Sequence, residues 1–335
     1  MNPFRALAVL FLIGTATRAQ SSPIIIDTDA GSDDIMAASL LLSQPSVRID
    51  AITVVNGLAH VGAGARNMGR LLDLAGRKQV PVFAGREHPL RGNAEFPAEW
   101  RKISDGLPGV PLPPASRPPE TKHAADYLVE RLRNAATPVQ ILALGPLTNI
   151  AEALERDHSI ARNIREIVIM GGAVRVPGNL QDGGVFHTQN STAEWNIFID
   201  PMAARIVFRS GVPIRLIALD ATNKVKIGVE FLQKFNSKAL TPLGRVVAGV
   251  LEADRESIDQ GIFYAWDPLA AAAILRPSLV KTVPMHIDIK EDAPEDGRTL
   301  ATPREPNAKV AVDADADAFR ALFLDSFEQP KATAP

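Results

Sequence analysis

Pro23-Ile24-Ile25-Ile26-Asp27-Thr28-Asp29-Ala30-Gly31-Ser32-Asp33-Asp34, running directly into Ile35-Met36-Ala37-Ala38-Ser39-Leu40-Leu41-Leu42, decides how the chain is read. The β-branched run has the pattern of a buried parallel strand, and the apolar stretch after Asp34 that of a helix. Four aspartates therefore crowd the turn between a strand's C-terminal end and a helix's N-terminal end. Open α/β sheets bind their ligands at that edge. One such aspartate is commonly a helix cap or a partner of the helix dipole, which accounts for Asp33 or Asp34 but not for all four. Carboxylates this close repel one another and raise each other's pKa unless a cation holds them. With oxygen ligands and no cysteine in the chain, a hard ion suits, Ca²⁺ or Mg²⁺.

Outward from this turn, Val47–Val55, Val80–Gly85, Val139–Leu144, Ile164–Met170 and Val212–Leu219 read as further strands. Helical patterns separate them, at Ala63–Ala75, at His123–Asn134 and after Asn149. Strands alternating with helices predict an α/β fold: one domain with a mostly parallel open sheet flanked by helices. Between Arg86 and Glu120 periodicity fades, and Gly106–Glu120 holds six prolines. So long a loop after a strand suggests a flap over the site.

The chain has 335 residues and a formal net charge of -2, enough length for one large domain and too neutral for nucleic-acid binding as its main task. Arg5 followed by the apolar run Ala6–Gly14 and then Thr17-Arg18-Ala19 has the layout of a signal peptide cut before Gln20. The run is too short to span a bilayer. The expected organisation is a signal peptide over 1–19, one domain over 20–328 and a disordered tail over 329–335. The product is expected to be secreted or periplasmic, without membrane insertion after cleavage.

Together the motifs resemble those of the inosine-uridine preferring nucleoside hydrolase family. The aspartate turn is similar to its N-terminal motif, and Leu142–Ala151 to its mid-chain strand-turn-helix. Met170-Gly171-Gly172 with Ala193-Glu194-Trp195-Asn196-Ile197 resembles its ribose-binding segment, and Trp266-Asp267-Pro268 its distal metal aspartate. The motifs stand in the family's order from about residue 23 to 325. The resemblance implies a Rossmann-like nucleoside hydrolase fold and a Ca²⁺ ion held by Asp29, Asp34, Asp267 and the Leu144 carbonyl. It implies Asp29 as general base toward water, Asp33 and Asn196 on ribose hydroxyls, Glu194 on the 5′-hydroxyl and Met170 against the sugar. Cleaving an N-glycosidic bond passes through an oxocarbenium-like sugar, which suits carboxylates beside a metal. Asp27 is read as a support of the turn. A homodimer or homotetramer is also in keeping with the family.

The chain departs from the pattern in four places. Ala30 stands where proline is common, a change expected to be tolerated. The usual Gly-Asn after the second strand is Gly57-Leu58, and Asn56 is the substitute for the amide. An insertion around Leu180–Gln189 leaves Asn179 and Asn190 as candidates for the ribose asparagine, with Asn179 preferred. Trp266 replaces the histidine that many members carry as acid to the leaving base, as in the purine-preferring branch. Trp100 is either a second stacking face or an anchor for its loop, and His60, His88 and His187 are passed over as acids. The expected function is an exported, Ca²⁺-dependent nucleoside N-ribohydrolase favouring purine nucleosides. Its rivals are an inactive exported nucleoside- or sugar-binding protein with a retained metal site, and a haloacid dehalogenase-type phosphatase.

Overall fold

The computed structural model describes residues 22–184 and 186–328. The signal peptide and the tail read from the sequence lie outside the described residues. Ile24–Thr28 forms β1, with every side chain buried. It is an interior strand of a nine-stranded sheet, between β2 (Ile49–Val54) and β4 (Val139–Ala143). Beyond β2 lies β3 (Val82–Ala84); beyond β4 come β5 (Ile164–Met170), β6 (Ile214–Ile217), β9 (Ala308–Ala314), β7 (Val280–Ile289) and β8 (Thr299–Thr302). From β3 to β9 the pairing is parallel; β7 runs antiparallel to β9 and β8 antiparallel to β7.

Strand order explains where the site lies. The chain winds outward from β1 to β2 and β3, then returns to lay β4 on the other flank of β1. The connections after β1 and β4 therefore diverge and open a crevice at the strands' C-terminal ends. Alternation along the strands divides the core between the two faces. Ile24, Ile26, Leu142 and Val168 face one helical layer; Ile25, Ile141, Ile167 and Ile169 face the other.

Helices Ser32–Leu42 and Trp266–Leu275 pack against each other beneath the first of these faces. Ala270 to Ala273 of the second helix are fully buried, and such small side chains permit close approach. Asp33 and Asp34 occupy the first turn of one helix, Asp267 the first turn of the other. Helix packing, not sequence proximity, joins them.

One expectation is corrected. The Arg86–Glu120 stretch is not structureless, because Ala98–Gly106 is a helix. Glu194 caps the short helix Trp195–Ile199, with Asn196 in its first turn. The C-terminal strands β7, β8 and β9 went unread because half-exposed antiparallel strands lack a continuous apolar run. Among the described residues no helix is long and apolar enough to cross a membrane.

Candidate active site

A cavity of about 420 Å³ opens at the C-terminal ends of β1, β4 and β5. That is the size of a small-molecule site. Asp29, Asp33, Asp34 and Asp267 line one side of it, joined by Leu144, Met170, Asn179, Glu194 and Asn196. Trp100 and Trp266 also line it. The fold thus gathers these sequence-selected residues in one place; Asn56 is the exception.

The turn after β1 is held by its own side chains. The Thr28 hydroxyl donates to Asp34 Oδ1, the Gly31 N–H donates to Asp34 Oδ2 at 2.9 Å, and the Ala30 N–H donates to Thr28 Oγ1 at 3.0 Å. Ala30 has φ 59, a left-handed backbone closed to proline. As folded here, the turn could not carry the family's proline at this position. Behind the turn, Asp27 Oδ1 accepts from Thr53 Oγ1 at 2.5 Å and from Asn149 Nδ2 at 2.9 Å, tying β1 to β2 and to the helix after β4.

The chain after β2 wraps around Asp29. The Leu58 N–H donates to Asp29 Oδ2 at 2.9 Å and the Ala59 N–H to the Asp29 carbonyl at 3.0 Å. Leu58 lies on the cavity wall. Asn56 is buried, its Oδ1 lacks a hydrogen-bond partner, and it does not reach the cavity. Gly57 is required by contact, since a Cβ there would lie 2.1 Å from Asp29 Oδ2. Gly57→Ala is expected to displace that carboxylate and lower kcat/KM by about 10²-fold, measured by steady-state ribose release, with the far-ultraviolet circular dichroism retained.

On the far wall, Glu194 Oε2 accepts from the Gly172 N–H at 2.8 Å while Oε1 accepts from the Asn196 N–H at 3.0 Å. Asn196 Nδ2 reaches back to the Leu144 carbonyl at 2.9 Å and the Met170 carbonyl at 3.3 Å. The Leu144 carbonyl keeps a second lone pair for another partner. Asn179 Oδ1 accepts from the Trp195 N–H at 3.1 Å. The two asparagine candidates are now separated, for Asn190 is spent on Thr192, Ala193 and Asp296 and does not line the cavity.

Electrostatics set the chemistry. Asp33, Asp34 and Asp267 offer carboxylate oxygens all within 4.8 Å of one another. The Asp34 carboxyl is within hydrogen-bonding reach of both Asp29 and Asp267. Burial pushes Asp33 up to about 7, aided by the charge of Asp29, and Asp34 up to about 7, aided by that of Asp33. Asp29 and Asp267 are raised well above the ordinary range by burial first and by neighbouring carboxylates second. Asp27 and Glu194 also rise to about 7, chiefly by burial. Asp267 Oδ1 is buried without a hydrogen-bond partner. An all-oxygen donor set, crowded and uncompensated, fits a hard divalent cation.

The aromatic wall is larger than two tryptophans. Trp195 stacks on Phe96 with centroids 4.8 Å apart and meets Trp100 edge-on at 5.6 Å. Trp100 therefore both anchors its segment and faces the cavity. Trp266 packs against Phe263 at 5.4 Å and Tyr264 at 5.8 Å. The sequence reading missed Phe96, Ile103, Leu107, Trp195, Asp254 and Phe263, all on the cavity wall. A signal existed for two of them: Trp100, Ile103, Ser104 and Leu107 follow the i, i+3, i+4, i+7 spacing of one helical face. Asp254 gave no signal, as a lone acid at a helix end. His60 is held by Asp105 at 2.7 Å, and no histidine among the described residues lines the cavity.

Residues 24–321 match the family of inosine-uridine preferring nucleoside hydrolases. The chain belongs to this family. Its members are metal-dependent hydrolases of N-glycosyl bonds, and the phosphatase alternative falls away. The chain is 34% identical over 314 residues to the pyrimidine-specific ribonucleoside hydrolase RihA of Citrobacter koseri, covering 90% of this chain and 97% of that one. Among solved structures it resembles the plant nucleoside hydrolase PpNRh1, at 30% identity and a TM-score of 0.81 over 92% of this chain and 99% of that one. It also resembles the purine-preferring ribonucleoside hydrolase of Gardnerella vaginalis, at 29% identity and a TM-score of 0.77 over 91% of this chain and 98% of that one. This nucleoside hydrolase therefore has similar relatives of opposite base preference.

Proposed function

We propose that the protein is an exported, Ca²⁺-dependent nucleoside N-ribohydrolase that favours purine nucleosides. One observation carries the reading: Asp29, Asp34 and Asp267 converge at the sheet's ligand edge, and Asp29 also lines the cavity. Asp29, Asp34, Asp267 and the Leu144 carbonyl would hold the ion, which when bound supplies Lewis acidity toward water and the ribose hydroxyls. The rest is the work of this chain's own groups. Asp33 and Asn196 accept and donate to ribose hydroxyls, Glu194 and Asn179 hold the far side of the sugar, and Met170 packs against it. Asp29 takes the proton from the water attacking C1′ as the C1′–N bond breaks. The bond's electron pair leaves on the base, which gains a proton from solvent. The indoles of Trp100 and Trp266 on the cavity wall, with no histidine among the described residues there, support a stacked purine over a pyrimidine needing a side-chain acid. The export part of the proposal rests on the apolar N-terminal run.

Ribose release from inosine, adenosine, guanosine, uridine and cytidine, with Ca²⁺ and after chelation, tests the reading. Ca²⁺-dependent release that favours the three purine nucleosides is expected. Equal or better release from uridine would remove the purine preference, and no release from any of the five would remove the activity. Trp266→Ala is expected to lower kcat/KM for purine nucleosides by about tenfold, mostly through KM, since it removes a stacking face and leaves Asp29 in place.

A further inference from the structure

The cavity wall contains six aspartates and two glutamates but no lysine, arginine or histidine among the described residues. A metal ion answers only part of this charge. Asp182, Asp254 and Glu256 lie on the wall outside the proposed ligand set. Asp254 accepts from the Ser32 side chain, yet its Oδ2 makes no hydrogen bond. Glu256 is exposed and accepts from Gln260 Nε2 at 3.2 Å. The basic residues nearest in sequence point elsewhere: Arg255 pairs with Glu252 and Asp259, and Arg101 with Glu95. Trp100 and Trp266 complete the wall with aromatic faces, which attract cations.

We infer that this cavity takes ribonucleosides whose base carries a fixed positive charge, such as an N-ribosylpyridinium or an N7-alkylated purine, in preference to neutral ones. A neutral base leaves with a pair of electrons and must be protonated, and among the described residues no histidine stands on the wall to do it. A cationic base needs no such acid. As its C1′–N bond breaks, the electron pair returns to the ring nitrogen and cancels the charge. Water adds to C1′, and its proton passes to Asp29 and then to solvent. The products are neutral base, ribose and one proton. Uncompensated carboxylates and aromatic faces stabilise the charged substrate before that step.

This inference rests on the nucleosidase reading above, and one experiment separates the two. Ribose release is measured for nicotinamide riboside, a fixed pyridinium cation, and for neutral inosine, in wild type, Asp254→Asn and Glu256→Gln. Nicotinamide riboside is intrinsically the more labile, so the variants' effect on the ratio of the two kcat/KM values is the readout. The ratio is expected to fall about fivefold or more in Asp254→Asn, and by less in the exposed Glu256→Gln. Raising the salt concentration should lower kcat/KM for nicotinamide riboside and leave inosine little changed. Inosine cleavage with nicotinamide riboside inert overturns this inference alone, as does a ratio moved by neither variant nor salt. Failure to release ribose from either compound overturns the nucleosidase reading with it. Glu256→Gln, being on the exposed rim, keeps the test valid if Asp254→Asn does not fold.

Discussion

Asp29→Asn is expected to lower kcat for ribose release by about 10³-fold while changing nucleoside affinity far less. The substitution is nearly isosteric, and an amide oxygen still accepts from the Leu58 N–H, which sits 2.9 Å from Asp29 Oδ2. The packing of Gly57 and Gly145 against the Asp29 side chain also survives. What the amide cannot do is take a proton from water, and it brings less negative charge to the metal. Isothermal titration with Ca²⁺ and with nucleoside separates these losses. A variant that binds both and turns over within tenfold of wild type would remove Asp29 from the base's role. A variant that no longer binds Ca²⁺ would make it chiefly a ligand.

Removing the metal is expected to abolish turnover and to destabilise the fold in a pH-dependent way. The sign follows from the carboxylates. Asp33 and Asp34 sit near 7 in the folded metal-free chain, against an ordinary value of 3.8. The folded state therefore keeps protons that the unfolded chain gives up above about pH 4, so stability falls as pH rises from about 4 to about 7. A bound cation supplies the missing positive charge and is itself bound only by deprotonated ligands. Its gain in Tm should thus be larger at pH 8 than at pH 5. With Ca²⁺ at a hundredfold excess over Kd the linkage contributes about 2.7 kcal/mol, several degrees in Tm. Thermal denaturation with Ca²⁺ and with chelator at the two pH values checks this. An equal gain at both, or a larger one at pH 5, would show that the ion does not sit among these carboxylates.

Asp267→Asn probes the same site from the other helix. Asp267 Oδ1 is buried without a partner, and the charge of the side chain works against Asp33, Asp34 and Asp29. Neutralising it relieves repulsion in the metal-free chain while weakening the metal site. The variant is therefore expected to be more stable than wild type in chelator and less active in Ca²⁺, measured by Tm and ribose release. Lower stability in both conditions would mean that the carboxylate is structural.

Much of this molecule was legible in order along the chain. The apolar run before Asp27 could only be a strand buried on both faces, and the alternation of strands with helices dictated a parallel sheet. Both are local consequences of side-chain pattern, which is why β1, β2, β4 and β5 were readable. Position relative to those strands also marked Asp29 and Asp34 as belonging to one edge, while Met170 and Glu194 entered through the family resemblance. Asn56 shows where such reading stops. Its type and spacing suited a substrate amide, but the Leu58 and Ala59 N–H groups wrap the chain around Asp29, and it is Leu58, not Asn56, that lines the cavity. Which residue of a turn lines a cavity is decided by hydrogen bonds to a distant strand, and no local pattern carries it.

By itself, then, the sequence determined the fold class, the sheet edge that bears the chemistry and the carboxylates that crowd it, because those follow from periodicity and residue type. Only the tertiary structure decided which groups share the cavity. It set the helix beginning at Trp266 against the helix beginning at Ser32, so that Asp267 meets Asp34. It chose Asn179 over Asn190 and brought Trp100 to the wall on a helix. Among the described residues it also left the acids on that wall without a basic side chain lining the cavity. Those choices depend on how buried faces fit together across the whole chain, and fit is a property of packed surfaces in space.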